Sequence, residues 1–252
     1  MMRVDDSIFL DYLSGKDISG HWLFNQIEDC YLFSGVDNRN LEGYKQVYQS
    51  FMEVFKEFKP WNFKIIEQLF PYYKEILQNV TVLLSIGFQD PYDCVFFTYQ
   101  EKQYICFDIA RFHCYDLKER LKSVITKLVT HEFVHACAFV MYPEEDTFSY
   151  QEKINHLIFH EGLAHLLAYQ ENIYDIDLHV YQEYYDKAIK RLAKDYNESD
   201  VEKQKINLSE GTSGSYWEKY LCIIGKFYFY EHRDRLLNLY AEGAQNIVEK
   251  IL

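Results

Sequence analysis

The chain has 252 residues, 39 acidic against 26 basic, for a formal net charge of −13. With 48% hydrophobic and 18% aromatic residues it can bury a sizeable core, which excludes disorder as its main state. The acidic balance excludes nucleic acid and anionic membrane surfaces as expected partners, since both call for clustered positive charge. The length fits a single domain built from two lobes, about residues 1–142 and 143–252. The longest stretch free of Asp, Glu, Lys and Arg, Ile76 to Gln89, falls short of the roughly 20 apolar residues of a spanning helix. Met1-Met2-Arg3-Val4-Asp5-Asp6 places acids where a signal peptide carries bases. The chain therefore reads as cytoplasmic, with Cys30, Cys94, Cys106, Cys114, Cys137 and Cys222 as reduced thiols in or near the core.

Residues 1–40 carry no clear periodicity. From Leu41 to Lys59 the apolar positions Tyr44, Val47, Tyr48, Phe51, Val54 and Phe55 recur at helical spacing, and Pro60 ends that helix. A second helix is expected over Asn62 to Leu77, interrupted near Pro71. Three β-rich runs follow, Val80–Ile86, Cys94–Tyr99 and Tyr104–Ile109, and predict a small sheet. Asp116 with Glu119 three residues on predicts a capped helix start, and that helix should run to about Met141, before Pro143. Further helices are expected over Gln151–Gln170, Asp177–Tyr196 and Tyr216 to the end, with a loop from Asn197 to Gly214. The fold class is α+β, mostly helical, with a small sheet preceding the long central helix.

That central helix holds His131-Glu132-Phe133-Val134-His135, an H-E-x-x-H motif. Residues i and i+4 lie one turn apart on one helix face, so both imidazoles can reach one metal ion, of which zinc is the expected kind. Glu132 projects beside such an ion rather than onto it, placed to take a proton from a water. The stripe Leu121, Val124, Ile125, Leu128 continues into His131 and His135, which predicts that the histidines face inward. A catalytic zinc needs a third protein ligand. The metzincin pattern would put it at Met141 with a glycine at Ala138, so that subclass is excluded. Downstream lies His160-Glu161-Gly162-Leu163-Ala164-His165.

H-E-x-x-H followed by E-G-L-A resembles the gluzincin group of zinc metallopeptidases, and is most similar to bacterial predicted zinc-dependent proteases. The resemblance is carried by residues 131–168; elsewhere it is one of topology. It implies a zincin-like fold, zinc on His131, His135 and Glu161, Glu132 as general base, and a peptide or protein substrate. It also implies an oxyanion-stabilising donor, for which Tyr216 and Tyr220 are the candidates beside His232. Many gluzincins have E-x-x-x-D, whose aspartate orients a ligand histidine; here that place is His165, leaving Asp146 or a backbone carbonyl for the task. Gly162 is expected to let its helix approach the motif helix, and the strand Tyr104–Ile109 to line the cleft and pair with extended substrate. His156 and His160, also four apart, read first as partly buried helix histidines and second as alternative ligands. The competing function is a non-catalytic zincin-like scaffold that binds a protein partner around a structural zinc.

Overall fold

The computed structural model describes residues 2–25, 33–88, 93–113 and 120–252. Cys30, Cys114 and the expected Asp116–Glu119 cap lie outside them. The described elements are β1 (Arg3–Asp5), α1 (Ser7–Leu13), α2 (Trp22–Asn25), α3 (Leu41–Lys56), α4 (Phe63–Leu69), α5 (Tyr73–Asn79), β2 (Thr81–Ser85), β3 (Cys94–Tyr99), β4 (Lys102–Asp108), α6 (Ile109–His113), α7 (Leu121–Met141) and α8 (Tyr150–Leu167). After these come α9 (Gln182–Asp195), α10 (Val201–Thr212), α11 (Tyr220–Glu231), α12 (Leu236–Glu242) and α13 (Ile247–Ile251). The chain is thus α+β, mostly helical with one small mixed sheet.

It forms two compact units, residues 1–59 with 72–136, and residues 60–71 with 137–252. The first unit holds the sheet, in the order β1-β2-β4-β3. β1 and β4 flank β2 in parallel, and β3 closes antiparallel on β4 with Cys94 opposite Phe107 and Tyr99 opposite Lys102. β2 is buried along its whole length, as expected for a continuous apolar run inside a parallel pair. Phe51 of α3 packs on Phe107 and Phe112, closing the core of this unit. The order makes β3 an edge strand and β4 an interior one. Tyr104–Ile109 is therefore paired on both sides and has no open edge to offer an extended peptide, which corrects the expectation for that strand; β3 ends the sheet order among the described residues.

In the second unit α8 packs most extensively on α11. Ser149 and Glu152 form a reciprocal capping box that starts α8 at Tyr150. A Cβ on Gly162 would run into the backbone of Gly225, and one on Gly225 into the carbonyl of Ile158. The close approach that Gly162 permits is thus to α11. Residues 60–71 join this unit through Asn62, whose amide donates to the carbonyls of Leu167 and Gln170 while its oxygen accepts from the Ile173 N–H. The expected loop at Asn197–Gly214 is instead α10 over most of its length. Asp200 caps it by accepting from the Lys203 N–H, and its few buried residues, Asn207 and Gly211, are polar or small, so it carries no apolar stripe to read.

Candidate metal centre

In the first unit, α7 carries the motif. Its deepest face is Leu121, Ile125, Val129 and Phe133, all buried, and Phe133 meets the ring of Phe58 edge-on. His131 and His135 are half-buried and continue Val124 and Leu128, on a face beside the deepest one. They are less inward than expected, and so remain within reach of solvent. Among the described helices α7 alone is long and apolar enough, by length and composition, to cross a membrane, and 50% of its most apolar window is buried.

The two Nε2 atoms of His131 and His135 lie 3.0 Å apart. With zinc–nitrogen bonds of about 2.05 Å that separation subtends about 94°, somewhat tighter than tetrahedral. The same separation also fits a hydrogen bond between the two rings. Glu132 is buried, and its Oε1 accepts from the Cys94 thiol at 3.1 Å. Burying a carboxylate is costly unless it is hydrogen-bonded, and edge strand β3 supplies a partner. Cys94 was not marked out by the sequence, because its contact with Glu132 spans 38 positions and arises only when the sheet forms.

In the second unit, Glu161 sits on α8 with His165 one turn on. Glu161 Oε2 is 3.5 Å from His165 Nε2 and 3.5 Å from Cys222 Sγ on α11. Burial pushes the His165 imidazole below its ordinary value, against the opposing pull of Glu161. Burial, reinforced by the Glu161 charge, pushes the Cys222 thiol up. The ring of Tyr216 stands edge-on to His165 with centroids 5.5 Å apart. Its hydroxyl accepts from the buried Lys226 ammonium at 2.9 Å, and that ammonium also lies 3.3 Å over the Tyr169 ring. Burial raises the Tyr216 phenol far above its usual range. Tyr220 differs: its hydroxyl donates to the Asn207 carbonyl at 3.2 Å, a contact that packs α10 against α11.

The remaining candidates have structural tasks. His156 and His160 stack at 4.1 Å, and both direct Nε2 at the Tyr142 carbonyl, just past the end of α7. They supply donors to a helix end that lacks them. Asp146 and His232 are exposed. His113 packs edge-on against Tyr44, His179 lies 3.7 Å from Glu231, and His21 accepts from the Leu23 N–H. Comparison of the chain with protein-family models, with curated proteins and with solved structures finds no match to any of them.

Proposed function

We propose that the chain is a zinc-dependent metallopeptidase of gluzincin type on a zincin-like fold, with His131, His135 and Glu161 as ligands and Glu132 as general base. The observation that carries this reading is the His131–His135 pair, with nitrogens 3.0 Å apart on a partly open helix face and the Glu132 carboxylate one residue away. Assignment of Glu161 rests on the E-G-L-A resemblance. It is supported by the late start of α8 at Tyr150 and by the engagement of His156 and His160 with a backbone carbonyl.

Zinc held there would polarise a scissile carbonyl and lower the pKa of a bound water to about 7. Glu132 takes the proton of the attacking water and passes it to the leaving amine. The thiol of Cys94, donating to Oε1, fixes the orientation of that carboxylate. Strand β3, which ends the sheet order among the described residues, is the strand on which an extended substrate would pair by its backbone. Of the two tyrosines, Tyr216 is the oxyanion donor: Lys226 donates to its oxygen and holds the phenol in place, whereas the Tyr220 hydroxyl is committed to the Asn207 carbonyl. The test is metal content. His131→Ala and His135→Ala should each hold one zinc equivalent fewer than wild type; equal zinc in all three proteins overturns the assignment.

A further inference from the structure

The geometry points to a second metal site, wholly within the second unit, in which Glu161, His165 and Cys222 bind a divalent d-block cation of the zinc class through one oxygen, one nitrogen and one sulfur. It uses no residue of the first unit. It shares only Glu161 with the zinc reading of α7, and a carboxylate has two oxygens to give.

Distances make the case. A tetrahedral ion with bonds of about 2.0 Å to oxygen, 2.1 Å to nitrogen and 2.3 Å to sulfur holds its ligand atoms about 3.3–3.6 Å apart. Glu161 Oε2 lies 3.5 Å from His165 Nε2 and 3.5 Å from Cys222 Sγ, and the three ligand atoms all fall within 4.8 Å of one another. A nitrogen–oxygen hydrogen bond is shorter, at about 2.7–3.2 Å. The spacing of Glu161 and His165 thus fits the edge of a coordination tetrahedron better than it fits a hydrogen bond.

Three independent features build the cluster. Helical spacing puts Glu161 and His165 one turn apart. Gly162 and Gly225 bring the α8 and α11 backbones together beside Glu161, and Cys222 lies one turn before Gly225. The buried Cys222 thiol has Glu161 Oε2 and the Gly211 carbonyl as acceptors. A bound cation displaces that thiol proton to solvent, as metal–thiolate bonding does generally. The ammonium groups of Lys219 and Lys226 act on the cluster. The Glu161 carboxylate and the thiolate formed on binding supply negative charge against them. The mixed donor set selects zinc-class ions over magnesium and calcium, which take oxygen ligands.

Cobalt(II) reports this site directly, because a cobalt–thiolate bond absorbs in the near ultraviolet and cobalt on histidine and carboxylate alone does not. Full-length protein stripped by chelator and titrated with cobalt(II) should show the band in wild type. The band should persist in the His131→Ala/His135→Ala double variant and in Cys94→Ser, and vanish in Cys222→Ala. His165→Ala, which leaves the thiol in place, should weaken cobalt binding at least about tenfold. Circular dichroism identifies any variant that fails to fold. A wild type without the band, a band that survives Cys222→Ala, or one lost with His131 and His135 in a folded protein overturns the proposal. Since the double variant removes the α7 histidines, the two metal readings fail separately.

Discussion

Gly162→Ala tests the packing that places Glu161. An added Cβ would lie against the Cα, carbonyl carbon and oxygen of Gly225, closer than real Cβ contacts come. These are backbone atoms of a helix, so no side chain can rotate to make room and α8 must shift from α11. Overpacking of this kind costs about 1–3 kcal/mol, and the upper end applies where backbone must move. Alanine recovers up to about 1 kcal/mol of helix propensity over glycine. The net loss is about 2 kcal/mol, and at about 2–4 °C per kcal/mol for a chain of this size the melting temperature should fall by about 4–8 °C. Thermal unfolding followed by circular dichroism measures it. Gly20→Ala is the control: a Cβ there meets nothing within 4 Å, and the melting temperature should stay within about 2 °C. A Gly162→Ala protein that melts at or above the wild-type temperature refutes the close-approach argument.

Other expectations follow from the same structure. Glu161→Gln should lose the zinc held with His131, whereas His156→Ala should keep it; near-normal zinc in the first and loss in the second, measured by competition with a chromophoric chelator, moves the ligand to His156. Asp108 is buried at the end of β4, where desolvation raises its carboxyl from 3.8 to about 6 although the N–H groups of Phe88, Ala110 and Arg111 donate to it. The native state therefore binds more protons than the unfolded one between those values, so stability falls as pH rises from about 4 to about 6 and stays lower above. Urea unfolding should show wild type losing on the order of 3 kcal/mol relative to Asp108→Asn across that interval; parallel pH profiles for the two proteins count against a raised Asp108.

The features readable from sequence are those fixed by neighbours along the chain. Cys94–Tyr99 is read as a strand to the residue, because a β-branched and aromatic run bounded by polar residues has one favourable arrangement. The H-E-x-x-H spacing sets the geometry of its histidines on any helix. β1 gives no such signal: three residues, Arg3–Asp5, form a strand only because β2 lies beside them. The edge of the sheet was misread for the same reason, since β4 becomes interior by pairing in parallel with β2, a contact with no local signature. α10 lacks an apolar stripe and is held by its Asp200 cap and its contacts with α11. Cys222 meets Glu161 across 61 positions, and only the meeting of Gly162 with Gly225 creates that cluster. Lys226 shows the limit most plainly, because nothing near it in sequence announces a buried ammonium among the rings of Tyr169, Tyr216 and Trp217.

The measurement that tests the central claim most directly is peptide hydrolysis by Glu132→Gln, with zinc content determined on the same preparation. The amide keeps the shape of the side chain and can still accept from Cys94, but it cannot take a proton from water. The account predicts that wild type cleaves a mixed peptide library, that the variant retains its zinc and fold, and that its cleavage rate drops by about 10²–10⁴-fold, the usual contribution of a positioned general base. Equal cleavage by the two proteins contradicts the role of Glu132. A zinc-loaded wild type that cleaves no peptide in the library contradicts the peptidase reading and leaves the chain a metal-binding scaffold.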